Sequence, residues 1–170
     1  VAETGDERRL SLVAAATFLE TFAGILDGPD IVAHCEREHA AAAYARWLSD
    51  PDARLWLAET EAGAAPVGYL LLARPSLPLD DLRADDLEVK RIYVLSRHQG
   101  GTGSALMGRA VDEARRRGAG RLLLGVYARN ERALAFYARH GFAKVGERRF
   151  QVGANSYDDV VLARDVAGAP

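Results

Sequence analysis

The sequence predicts a mixed α/β (α+β) protein, organised as a single domain over residues 1–170. Three observations lead there. Helical three- and four-residue spacing runs through the first part of the chain, strand-like alternation replaces it after Pro51, and two strand–helix units and a hairpin follow without internal repeat.

Leu10, Val13, Ala14, Thr17, Phe18, Thr21, Phe22 and Ile25 predict a helix over residues 4–25, stopped by Asp27-Gly28-Pro29. A second, alanine-rich helix is expected over 30–48, with Tyr44, Trp47 and Leu48 for bulk and Ser49-Asp50-Pro51-Asp52 as its end. The segments 54–60 and 67–73 flank a turn-rich stretch and read as a hairpin; 75–86 is an acidic, proline-bearing loop. The strand over 87–95 slips in its alternation, because Leu87 and Val89 share one parity and Ile92 and Val94 the other. One extra residue near Lys90–Arg91 restores a single apolar face, so a β-bulge is expected there. A helix over 102–117 closed by Gly118, a buried strand over 121–127, a helix over 130–140 ending at Gly141, and a hairpin of 150–152 with 157–164 complete the order.

Composition narrows the function classes. Apolar residues make up 49% and charged residues 27%, the balance of a soluble globular chain. A net charge of −2 provides no field for nucleic acid or an anionic membrane. Glu20 interrupts the apolar stretch 12–25, and 122–128 falls short of the ~20 residues a bilayer span needs. The first residues lack a signal-peptide layout. Cys35, the single cysteine, excludes an internal disulfide and fits a reducing cytoplasm. His34 and His39 lie five apart with Cys35 beside the first, but no carboxylate–histidine cluster has metal-site spacing, so packing roles and no metal are expected.

Arg97-His98-Gln99-Gly100-Gly101-Thr102-Gly103-Ser104 joins a strand to a helix. Glycines there allow backbone amides to approach a ligand, and the unpaired N–H groups of the helix start favour a phosphate. Thr102 and Ser104 could add hydroxyl donors. Gly103 is followed by Ser104-Ala105-Leu106 rather than Lys and a hydroxyl residue, which excludes a Walker loop. A dinucleotide-binding loop would want an acid ending the next strand, where Val126-Tyr127-Ala128-Arg129 stands. In the next helix Asn130 is a good N-cap and Gly141 a good left-handed stop. Asn130 and Tyr137, seven apart, return to nearly the same face, offering an amide and a phenol beyond a buried strand.

Tyr93-Val94 at a strand end, the glycine loop, and Asn130-x-x-Ala133-x-x-Phe136-Tyr137-x-x-x-Gly141-Phe142 together resemble the signature of the GNAT N-acetyltransferases, most fully over residues 87–164. In the loop His98 stands where the family usually has Gln or Arg, with Arg97 beside it as a substitute. The resemblance implies a mixed central sheet splayed between two parallel strands and flanked by helices, with only residues 1–5 for the first strand. It implies acetyl-CoA as cosubstrate and a small-molecule amine as acceptor. Backbone groups of Ile92, Tyr93 and Val94 would then meet the pantetheine arm. Gln99, Gly100, Gly101, Thr102, Gly103 and Ser104 would hold the pyrophosphate, and Asn130 would lie near the thioester. Tyr137 becomes the candidate acid for the departing thiolate and Glu88 the candidate base.

Thr21-Phe22 and the ending Gly141-Phe142-x-x-Val145-Gly146-Glu147-x-x-Phe150-x-Val152-Gly153 with Asp158-Asp159-Val160-Val161-Leu162 resemble the bacterial spermidine/spermine acetyltransferase branch. The acidic run Asp80, Asp81, Asp85, Asp86 would suit such a polycation. Protein N-termini or peptides, antibiotics and amino acids are other acceptors. A non-catalytic CoA-binding regulatory module and a Rossmann-like oxidoreductase are the readings from other classes. An exposed last strand permits a homodimer.

Overall fold

The computed structural model describes residues 1–153 and 155–166. Helix α1, Glu7–Phe22, buries Leu10, Val13, Ala14, Thr17 and Phe18, the stripe its spacing predicts. Where one helix was expected over 30–48 there are two, α2 (Gly28–Glu38) and α3 (Ala41–Ser49). The break falls at Ala40, whose backbone is extended. Its cause is a side-chain pair: His39 Nδ1 lies 3.0 Å from the Tyr44 hydroxyl, and both residues are buried. Positions five apart on a continuous helix point about 140° away from each other, so they can meet only if the helix stops between them.

Six strands form one sheet in the order β1-β2-β3-β4-β6-β5. They are β1 (Arg54–Glu59), β2 (Pro66–Ala73), β3 (Leu87–Val94), β4 (Arg121–Tyr127), β5 (Ala143–Val152) and β6 (Asn155–Asp165). All neighbours run antiparallel except β3 and β4. Helix α4 (Gln99–Arg116) and α5 (Glu131–Arg139) cover one face, packing Leu106, Met107 and Tyr137 on Leu70, Leu122 and Leu124. Helix α1 covers the other face, where Leu10 and Val13 meet Tyr69 and Leu71. Each fully buried leucine here stabilises the fold by roughly 1.5–3 kcal/mol. Ahead of α1 no strand forms, although the Ala2 N–H donates to the Leu55 carbonyl at 2.9 Å.

The bulge is present. Leu71 faces Arg91 while Leu72 faces Val89, which leaves Lys90 without a cross-strand partner. The extra residue resets the phase, and Leu87, Val89, Ile92 and Val94 all join the core beneath α4. Glu88, Arg91 and Tyr93 are thereby turned to the α1 face. Beyond the bulge β3 parts from β4: the two strands pair only at Leu87–Leu122 and Glu88–Leu123.

The acidic loop is tied down from beneath. Arg121 Nε and Nη2 donate to the two oxygens of Asp86 at 3.0 and 2.8 Å, and Nη1 donates to Asp81 Oδ2 at 2.8 Å. Two members of the acidic run therefore serve the fold.

Candidate active site

The divergence of β3 from β4 opens a cleft of about 1000 Å³. The alternation that aims the Leu95 N–H at the Val67 carbonyl, at 2.9 Å, turns the N–H and C=O of Ile92 and Val94 the other way, toward the gap. Close packing of β2 on β3 holds this wall in place: a Cβ on Gly68 would stand 2.9 Å from the Tyr93 carbonyl oxygen. Gln99 Nε2 donates to the Val94 carbonyl at 3.0 Å and fixes the passage from strand to loop.

The loop is a short 3₁₀ turn, Ser96–His98, running into the start of α4. Gly100 and Gly101 depart from helical geometry, Gly101 with φ +97°, so the regular helix begins at Thr102. Only glycine holds such a φ without strain. A Cβ built on Gly100 or Gly101 meets nothing within 4 Å, so the turn is open on the side of these two α-carbons. A Cβ on Gly103 would reach the Phe136 ring at 3.4 Å, which shows how closely α4 packs on α5. Ser104 Oγ lies 3.1 Å from His140 Nε2 and joins the same two helices. The open glycine turn thus lies beside the outward-facing backbone groups of β3.

Asn130 caps α5, its Oδ1 accepting from the Ala133 N–H at 3.1 Å, and Gly141 follows with φ +78°. Tyr137 is 8% exposed and lines the cleft from the α4/α5 face; its hydroxyl has no hydrogen-bond partner among the described residues. Burial, and then the neighbouring Tyr93, push its pKa well above the ordinary phenol range, so the proton is held. Tyr93 itself is pushed up to about 12, chiefly by burial.

Glu88 lines the cleft and is 3% exposed. Its Oε2 accepts from the Ser76 N–H at 2.8 Å and from Lys90 Nζ at 2.5 Å, while Oε1 has no partner among the described residues. Of the residues singled out from sequence, Glu88, Ile92, Tyr93, Val94, Gln99, Gly103, Asn130 and Tyr137 line the cleft together. Arg97, His98, Gly100, Gly101, Thr102 and Ser104 lie on the adjoining loop and first turn of α4.

Sequence reasoning passed over Asp159. It is 6% exposed, lines the cleft, and takes both Arg148 contacts, from Nε and Nη2 at 3.1 Å, on Oδ2 alone. Burial raises its pKa against the opposing pull of Arg148. A signal was available: Asp159 shares the parity of Val161 and Ala163, the apolar side of β6. His34 and His39 also line the cleft, and burial depresses them to about 4 and about 3, so both are neutral at pH 7. Among the described residues no group of His, Cys, Asp or Glu is placed to hold a metal, and no helix is long and apolar enough to cross a membrane.

The chain belongs to the acetyltransferase (GNAT) family, whose model matches residues 19–142, and is thereby an acyltransferase. Its cosubstrate is acetyl-CoA. An uncharacterised N-acetyltransferase of Mycobacterium tuberculosis is 33% identical over 162 residues, 95% of this chain and 98% of its own length. The PaiA N-acetyltransferase of Thermoplasma acidophilum, solved in complex with coenzyme A, shares the fold at a TM-score of 0.77 and 19% identity, over 96% of this chain and 95% of its own. Nourseothricin acetyltransferase is 29% identical, with a TM-score of 0.59 over 69% of this chain and 67% of its own.

Proposed function

We propose that the protein transfers acetyl from acetyl-CoA to a small-molecule primary amine. The observation that supports this most is the convergence at one gap of outward-facing strand groups, a glycine turn and the unpartnered phenol of Tyr137. Acetyl-CoA supplies an activated acetyl group and a thiolate leaving group. The backbone groups of Ile92 and Val94 would hold its pantetheine arm, those of Tyr93 being turned to β2, and the amides from Gln99 to Ser104 would hold its pyrophosphate, with Arg97 and His98 at the outer side. Asn130 would lie near the thioester.

The acceptor must lose a proton before it attacks. An alkylammonium, taking lysine as reference, costs roughly 4–5 kcal/mol to deprotonate at pH 7. Glu88 receives that proton on Oε1, directly or through a water, while Ser76 and Lys90 steady Oε2. Tyr137 gives its proton to the departing sulfur. A polyamine belongs to this acceptor class, although Asp81 and Asp86 of the acidic run are already engaged by Arg121.

The direct test is thiol release from acetyl-CoA across polyamines, alkylamines, amino acids, peptides and aminoglycosides, with calorimetry of acetyl-CoA binding. Binding and amine-dependent release are expected; a chain that ignores acetyl-CoA in calorimetry refutes the reading. A second expectation concerns the turn. Gly101→Val forces a β-branched residue to φ +97°, a strain of order 1–3 kcal/mol. Acetyl-CoA should then bind at least about tenfold more weakly, with an unchanged circular dichroism spectrum, because the residue is exposed.

A further inference from the structure

The two faces of the split sheet are chemically different. Tyr137 reaches the gap from the α4/α5 side, whereas Glu88, Tyr93 and Asp159 belong to the face under α1. On that second face the cleft widens into a chamber between α1, α2 and the β5–β6 hairpin. Its walls are rings: Phe18 stacks on His34 at 4.4 Å, Phe150 meets His34 edge-on at 6.1 Å, and Tyr157 meets Tyr127 edge-on at 6.3 Å. Two of these surroundings are incomplete. His34 Nδ1 and His39 Nε2 are buried without a hydrogen-bond partner. Such orphaned nitrogens are costly unless a ligand or water meets them.

The charges of the chamber are nearly all engaged. Glu20 spends both oxygens on Ser96, accepting from its N–H at 2.9 Å and its hydroxyl at 2.8 Å. Glu38 takes Arg37 on one oxygen and Arg91 on the other. Asp159 differs, since Oδ1 has no partner among the described residues. Arg148 connects it to the chamber: the guanidinium lies 5.0 Å over the Phe150 ring and so close to β4 that a Cβ on Gly125 would stand 2.5 Å from its Cζ. Asp159 thus brings to the ring-lined chamber a carboxylate with one oxygen on Arg148 and the other without a partner among the described residues.

Resting on the acetyltransferase reading, we infer that the acceptor is a primary amine with a single cationic head and an aromatic or apolar body, the head held by Asp159 and the body by the chamber rings. A polyamine would bring a second and third ammonium into a chamber whose other carboxylates are already engaged, Glu20 by Ser96 and Glu38 by Arg37 and Arg91. An aromatic body loses nothing there, and ring-on-ring contacts typically add about 0.5–1.5 kcal/mol beyond area burial.

The test compares kcat/KM for 2-phenylethylamine, hexylamine and spermidine in the wild type, Asp159→Asn and Phe150→Ala. The apolar monoamines should exceed spermidine at least tenfold. Asp159→Asn should raise KM for 2-phenylethylamine at least tenfold while leaving KM for acetyl-CoA unchanged, and Phe150→Ala should penalise the aromatic amine more than hexylamine. Calorimetry with acetyl-CoA shows that each variant still folds. Spermidine used as well as the monoamines, or no turnover of either monoamine by a chain that binds acetyl-CoA, overturns the inference and leaves acetyl transfer standing. Failure to bind acetyl-CoA counts against acetyl transfer itself.

Discussion

Tyr137→Phe should lower turnover by roughly 10²–10⁴-fold, the usual contribution of a positioned acid–base group. Affinity for acetyl-CoA should scarcely change. The substitution removes one oxygen from a ring that is packed against Phe136 and Phe142, with centroids 5.3 and 5.9 Å away, and those ring contacts survive it. The hydroxyl has no partner to leave stranded, so the fold loses nothing either. Steady-state kinetics beside calorimetry separates the two effects, and turnover equal to wild type would remove the acid role. The upward shift set by burial works in the same direction, because it favours the protonated phenol.

Arg121→Ala should destabilise the protein by about 3–5 kcal/mol, the cost of stranding a buried charge. Arg121 is 7% exposed in its side chain and Asp86 is fully buried, so no water replaces the lost guanidinium. Burial pulls the Asp86 pKa upward, yet the Arg121 and Arg83 hydrogen bonds outweigh it and hold the carboxyl below its ordinary range. For a chain of this size the loss corresponds to roughly 6–20 °C in Tm. Thermal unfolding followed by circular dichroism measures it; a shift under about 2 °C would mean that the loop 75–86 relaxes without cost.

Backbone chemistry was the legible part of this sequence. The parity slip around Lys90 announced the bulge, and the glycines at 100, 101 and 103 announced a turn ahead of the regular helix, because both follow from rules local to a few residues. Asn130 and Gly141 marked the ends of α5 for the same reason. The division of α2 from α3 was not visible, since Ala40 to Ala43 reads as helix and the break comes from His39 turning toward Tyr44. The hairpin over 143–165 was underestimated because β5 carries charged residues such as Lys144, Glu147 and Arg149 on exposed positions, which blurs its alternation. Least legible was the chamber. Phe18 and His34 come from α1 and α2 and Phe150 and Asp159 from β5 and β6, two regions far apart in the chain that no local spacing joins.

The brevity of the contact between β3 and β4 has a further consequence. After Glu88 a strand from the middle of the sheet behaves as a border strand, with backbone donors and acceptors available for a new neighbour. Borders of this kind ordinarily invite pairing with foreign chains and aggregation. Here the border lines the cleft between the helices that cover the two faces of the sheet. The unfinished edge therefore sits inside the sheet, away from its outer rims at β1 and β5.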